Sequence, residues 1–392
     1  MFSGPVFPKT RGRISRLSIA PVWDWLSELI PDAHKSLCDL IIKQILSRHD
    51  EKLELATAEL HRSSANALSA IFLSYEIGTP EYVAMAKRLG SEAILEDARD
   101  MCSILKIAEY ANKIQAYFPR PIDNLNEDDL LFVRKTYDEV KERYPKQASY
   151  FVYLLIGRMS KPWQILSALP VLCRTKSEDE IIASELGGIG DQIFTDVETL
   201  ADEITKTNFL NRGPAKSLNV LNQFVETSRG ITRQLSLKRD GPWGQRLFDA
   251  RKRVAQAMEH QLNRSVDTIV SAFPTIEMGA FGANGAARPD LTAAPNEDEI
   301  DQAAKVAIFI DRTKNLAADA AFGKHHKEAT DRIQQFILSY GSDMIQEVRA
   351  GNAETIRNLQ AHLEATVKIT GLVVGEEEAD LFLRRATTAA RN

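Results

Sequence analysis

Residues 149–173 read SYFVYLLIGRMSKPWQILSALPVLC, the most apolar stretch of the chain, and the fold turns on what it can be. A bilayer span needs about 20 consecutive apolar residues. Arg158, Lys161 and Pro162 interrupt this one in the middle, which predicts two short helices, over about 146–159 and 162–174, with a membrane-surface hairpin as the alternative. Pro162 suits the first turn of the second helix, where its missing N–H costs nothing. Pro170 is placed to kink that helix or end it early. Each half is apolar nearly all round, the pattern of a helix buried on most faces. The hairpin is therefore expected at the centre of a core, with Phe151, Tyr153 and Trp163 as its bulk.

On either side the helical period persists. Val22, Trp25, Leu26, Leu29 and Ile30 fall on one face at i, i+3, i+4, i+7, i+8 spacing. Gly78, Thr79 and Pro80 read as the end of one helix and the capped start of another. Asn126 before Glu127, Asp128 and Asp129 reads as an N-cap with acids in the first turn, where the macrodipole favours them. Asn296 and Asp298 open a helix carrying Ile300, Ala304, Ala307 and Ile310. Two more follow, and a short tail helix runs from about 376 to 391. No run of alternating β-branched residues occurs. The expected class is all-α, a multi-helix bundle or irregular helical array with a C-terminal three-helix unit and essentially no β.

At 392 residues the chain exceeds the roughly 250–300 at which single cores stop growing, so more than one domain is expected. The plan read from the pattern has five parts: a mobile basic arm (1–20), an N-terminal helical domain (21–176), a middle region of long helices (177–273), a flexible linker (274–296) and a C-terminal helical unit (297–392). The linker assignment rests on three Gly and three Pro in 23 residues without periodicity. A content of 44% hydrophobic and 26% charged residues places the chain among soluble globular proteins and excludes disordered and collagen-like classes. Cys38, Cys102 and Cys173 show neither CxxC nor metal-ligand spacing. They read as buried thiols in a reducing compartment, hence a cytoplasmic location. Lys9, Arg11, Arg13 and Arg16 precede no apolar segment of the kind a secretory signal needs, and Pro5, Pro8 and Gly12 spoil the amphipathic helix of a transit peptide.

Charge is segregated. Residues 177–203 hold nine acids and no Lys or Arg, whereas residues 229–264 hold nine basic and three acidic residues. Arg246, Arg251, Lys252 and Arg253 are the candidate partner-binding cations. They are expected to face water or to meet the acidic block, within the chain or across an oligomer, where such contacts steer association more than they add affinity. As a nucleic-acid site this cluster is weak, with only Trp243 and Phe248 as aromatic neighbours.

Catalytic signatures are sparse. The glycines at 187–190 and the Gly323-Lys324 pair lack the Lys-Ser/Thr of a phosphate-binding loop. No histidine follows a Glu at i+3, the di-metal pattern of helical bundles. Two weak metal candidates remain. Glu92, Glu96 and Asp100 share a helical face on which carboxylates could hold magnesium, the alternative being a plain exposed acidic face. His325 and His326 crowd a helix start near Glu328. No cofactor is expected. The leading functional expectation is a non-enzymatic adaptor or scaffold that self-associates or docks protein partners. The alternatives are an all-helical enzyme or ligand carrier with a pocket in the N-terminal domain, and peripheral membrane or nucleic-acid binding through the basic segments.

Overall fold

The computed structural model describes residues 9–47, 50–206, 213–277, 287–350 and 358–389. Among them the chain is all-α, with 17 α-helices and one two-stranded hairpin, and no helix is long and apolar enough to cross a membrane. Two units are present, and the boundary between them falls inside three helices.

The first unit holds the described residues up to 193, together with 230–243. Its helices are α1 (Ile19–Leu29), α2 (Pro31–Ser47), α3 (Asp50–Ser74), α4 (Pro80–Leu89), α5 (Glu92–Leu105), α6 (Ala108–Tyr117), α7 (Glu127–Arg143), α8 (Ala148–Ile156), α9 (Leu169–Cys173), α10 (Glu178–Ala183) and the first turns of α11 (Gly187–Thr205). Local signals set several boundaries. Thr79 caps α4 by accepting from Tyr82 N at 3.3 Å. Asn126 and Asp129 form a reciprocal capping box at the start of α7. Val22, Trp25 and Leu26 of α1 pack with Leu68, Tyr82, Leu95 and Cys102, the side read from their spacing.

The apolar hairpin lies in the core as expected, with Phe151, Val152, Leu155, Ile165, Leu166 and Leu169 fully buried, but of its expected bulk Tyr153 and Trp163 are only half-buried. Its second half differs from the single helix anticipated. A 3-10 turn over Pro162–Ser167 precedes the short α9, and Pro170 sits in the first turn of α9. Two prolines eight residues apart leave no room for a continuous helical ladder. Gly187, Gly188 and Gly190 also differ from expectation: they belong to α11 rather than to a turn before it.

The second unit holds residues 194–229 and 244–389 as described, namely the rest of α11, most of α12 (Pro214–Gln234) and α13 (Pro242–Ser271), the strands β1 (Thr275–Glu277) and β2 (Ala287–Pro289), and α14 (Glu297–Ala317), α15 (Gly323–Ala350), α16 (Leu359–Val373) and α17 (Glu376–Ala389). Helices α15–α17 pack together, and α14 lies against α15 and α16. The tail helix α17 is part of the core: Phe382 and Ala386 pack with Met344 and Val348. Gly341 makes room for this, because a Cβ there would stand 2.8 Å from the Phe382 ring.

The stretch 274–296, expected to be structureless, is ordered at both ends. β1 and β2 pair antiparallel with Ile276 opposite Arg288, Leu291 is buried, and Asn358 donates to Thr292 O at 2.7 Å. Backbone pairing across the segment does not depend on hydrophobic periodicity, which is why the pattern missed it. Residues 278–286 and the Gly351-Asn352 restart lie outside the described residues.

Candidate functional site

The basic arm is docked from residue 9 onward. Asp97 and Asp100, both buried on α5, receive it. The Lys9 ammonium stands 2.7 Å from Asp97 Oδ1 and 2.8 Å from Asp100 Oδ2. Gly12 N donates to Asp100 Oδ2 at 2.8 Å, Ser15 N to Asp97 Oδ2 at 3.0 Å, and Ser18 Oγ to the same oxygen at 2.5 Å. Tyr150 OH donates to the remaining Asp100 oxygen at 2.8 Å. Burial works against the Lys9 charge, but the two carboxylates outweigh it and hold the ammonium above its ordinary range.

Arg11 donates to Tyr150 OH at 3.2 Å and lies over its ring at 4.9 Å. Gln192 donates to Arg11 O at 2.8 Å and to Tyr153 OH at 2.9 Å, and burial pushes the Tyr153 hydroxyl up to about 12. Gly12 is needed twice over. Its φ of +78° is a left-handed value, and a Cβ would sit 2.3 Å from a Tyr153 ring carbon. The sequence reading took this arm as solvated and the α5 carboxylates as an exposed face. Lys9 and Asp100 are 91 residues apart, and no local spacing signals their meeting.

The proposed magnesium triad is therefore not assembled. Asp100 points into the core, while Glu92 and Glu96 are exposed. His325 and His326 also diverge. His326 is buried with Nε2 2.7 Å from Ile310 O, whereas His325 lies 3.6 Å from Glu259 and from Glu328. Among the described residues no three His, Cys, Asp or Glu side chains come together as a metal would require.

The acidic and basic blocks meet within the second unit. Arg246 holds Glu198 through two bonds of 2.8 Å and adds Thr195 at 2.9 Å. Arg253 pairs with Asp202, and Arg251 donates to Ser228 O at 3.1 Å. Burial lowers the Arg251 pKa. Of the four candidate partner-binding cations, Lys252 alone is exposed.

Two further polar constellations escaped the sequence reading. A cleft of about 650 Å³ in the first unit is lined by Tyr137, Lys141, Cys173, Arg174, Ser184 and Glu185. Glu185 Oε1 accepts from Tyr137 OH and from Lys141, both at 2.6 Å. Those bonds overcome burial and hold its carboxyl below the usual range. Burial pushes the Cys173 thiol up, only partly offset by Ser184. Arg174 closes α9 at φ +57° and pairs with Asp138 at 3.1 Å. No family model, curated protein or solved structure matches this chain.

The second constellation fastens the ordered end of 274–296. His362 is buried, with Nδ1 2.7 Å from Tyr340 OH and Nε2 2.8 Å from Ala293 O. Burial holds its pKa below 6.5, against weaker support from Ala293 and Asp290. The imidazole is thus neutral in the fold, but an unfolded chain would protonate it below about pH 6.5. Stability from this group is present above that pH and is lost as the pH falls through the folded pKa. Urea midpoints are expected to drop between about pH 7 and pH 5, and His362→Gln is expected to flatten that drop. Parallel pH profiles for the two proteins would remove His362 as its cause.

Proposed function

We propose that the protein is a non-enzymatic helical adaptor that docks protein partners on the helices α1–α4 of its first unit. One observation supports this above others: the docked arm presents large apolar side chains to solvent. Leu17, Ile19 and Trp23 are 84, 55 and 39% exposed, although Ser18 and Val22 between them, and Trp25 and Leu26 just beyond, are buried. Ile19 and Trp23, four residues apart, share one side of α1, and Leu17 stands in the 3-10 turn Arg16–Ser18 just before it; together they make a surface of the kind onto which an amphipathic helix packs. Apolar groups clustered on a surface mark interaction sites more often than isolated ones do. All three cysteines are free thiols, which fits a reducing compartment such as the cytoplasm.

A ligand carrier would use the 650 Å³ cleft. Its two cations, however, are each paired with a carboxylate of the same cleft, which favours the adaptor. Electrostatic attachment to a membrane or nucleic acid is weakened by the commitment of Lys9 and Arg11 to the protein's own groups.

The test compares complexes in an extract of the native host. Wild type is expected to elute in a larger assembly, and the double variant Leu17→Glu with Trp23→Glu as the free chain. Leu131→Glu, also at an exposed position, serves as the control. Equal elution of the double variant and wild type would defeat the reading.

A further inference from the structure

We propose that the groove between α15 and α17 binds a small bipolar molecule, apolar in the middle, with a carboxylate at one end and an ammonium at the other. The groove lies in the second unit and is independent of the adaptor surface on α1–α4.

Its volume is about 310 Å³, at the small end of the range for ligand sites. The floor is apolar: Ile337, Ile345 and Phe382 are buried, and Leu338 is 44% exposed. Six polar side chains also line it, Ser342, Gln346, Arg349, Thr370, Glu378 and Arg385. Among the described residues none of the six makes a side-chain hydrogen bond or an ion pair. Thr370 weighs most, because it is 2% exposed and a hydroxyl on so buried a residue ordinarily has a partner. In the 650 Å³ cleft of the first unit, by contrast, Lys141 and Arg174 are already paired.

Helix direction sorts the charges. Gln334 of α15 donates to Val373 O, just before α17, at 2.9 Å. Farther along both helices Gly341 meets the Phe382 ring, and Val348 lies in one cluster with Ala386 and Ala389. The two helices therefore run the same way. Glu378 precedes Phe382, and Thr370 sits near Val373, so these two mark one end of the groove. Arg385 follows Phe382 and Arg349 follows Gly341, which puts both arginines toward the other end. The sequence of α17 repeats this division, with Glu376, Glu377, Glu378 and Asp380 in its first half and Arg384 and Arg385 in its second. Glu347, near the arginine end, is taken by Arg288 at 3.5 Å.

Acids at a helix start and bases at its end suit the macrodipole, which explains the signs. It does not explain why groups from two helices flank one apolar groove unpaired. Each helix C-terminus carries about half a unit of negative charge, and two guanidinium groups outweigh two such ends, so a carboxylate is attracted there. Glu378 and the neighbouring acids attract an ammonium, from which the Thr370 hydroxyl can also accept. From Glu378 to Arg385 the helix rises about 10 Å, and this sets the spacing of the ligand's two charges. An ω-amino medium-chain acid and an apolar tripeptide, whose extended backbone spans about 10 Å, share that chemistry.

Calorimetric titration of the purified full-length protein with ω-aminooctanoate and with trileucine tests this. At least one is expected to bind, and the tighter of the two identifies the source. Octanoate and octylamine each lack one charge and are expected to bind about tenfold more weakly than ω-aminooctanoate, having lost one set of charge-assisted bonds. If trileucine alone binds, its N-acetyl and C-amide forms take their places. Arg385→Gln is expected to weaken the bipolar probe and octanoate by about tenfold and to spare octylamine. Glu378→Gln is expected to weaken the bipolar probe and octylamine and to spare octanoate. Circular dichroism establishes that both variants are folded, and Arg349→Gln replaces Arg385→Gln if the latter is not. Three results would overturn the inference. Neither probe binding at millimolar concentration would remove the site. Octanol binding as tightly as ω-aminooctanoate would leave a merely apolar groove. Unchanged affinity in the folded arginine and glutamate variants would place the ligand elsewhere.

Discussion

Asp100→Ala is expected to free the N-terminal arm and to destabilise the first unit by about 3 kcal/mol, the lower end of the range for removing one partner of a buried ion pair. Asp100 accepts three bonds of 2.8 Å, from Lys9, Gly12 N and Tyr150 OH. Without it the ammonium keeps Asp97 and the Thr10 and Arg13 carbonyls, and the Tyr150 hydroxyl and Gly12 N–H lose their acceptor. A buried donor left unpaired costs its desolvation, about 1–3 kcal/mol. The lower end applies because the Lys9 side chain is 24% exposed and can turn to water. Glu96→Ala, at an exposed position of the same helix, should change stability by less than about 0.5 kcal/mol. Urea midpoints give the stability, and trypsin cleavage after Arg11 or Arg13 reports the arm. Asp100→Ala should be cut much faster than wild type, and equal cutting with an unchanged midpoint would show that the carboxylate does not hold the arm.

Gly190→Ala is expected to destabilise by about 2 kcal/mol, although alanine is the better helix former by about 1 kcal/mol. A Cβ at Gly190 would stand 2.3 Å from Trp243 Cζ2 and 2.4 Å from Cη2. The indole cannot swing aside cheaply. It is buried, its Nε1–H donates to Asp191 at 2.8 Å, and its backbone N–H donates to the buried Glu178 at 2.7 Å. Overpacking of a filled core costs about 1–3 kcal/mol, and a lost hydrogen bond adds about 1 kcal/mol, so the clash outweighs the propensity gain. Gly188, two residues earlier in the same helix, has open space around its Cβ position. Gly188→Ala should therefore be neutral or stabilising by about 0.5 kcal/mol. Opposite signs in the two melting temperatures, with a red-shifted Trp emission for Gly190→Ala alone, are the expected result. A stabilised Gly190→Ala would mean that the Trp243 contact is loose.

Which features were legible follows from the distance over which each is encoded. The caps at Thr79, Asn126 and Asn296 form where the residue types place them, because capping bonds span two or three residues. The inward side of α1 follows from i, i+3, i+4 spacing. The exposure of Ile19 on the same helix was not legible: it stands at i, i+3, i+7 to Val22 and Leu26, the spacing of a buried side, yet it is 55% exposed. The charge blocks announced an interaction but not its address. Arg246 could have faced water, a partner or Glu198, and its choice depends on where α11 and α13 pack.

By itself, then, the chain's order of residues determined an all-α protein, an apolar hairpin in the core and the helix boundaries marked by proline, glycine and capping side chains. Tertiary structure alone decided that Asp97 and Asp100 bind the arm rather than a cation from solution. It alone decided that Gly190 makes room for Trp243, that His362 joins Tyr340 to the 274–296 segment, and that Leu17 and Ile19 stay exposed. The physical reason is the same in each case. Helical periodicity specifies which residues share a side, whereas burial, ion pairing and exposure depend on which distant sides are brought face to face, and that is settled only when the whole core packs.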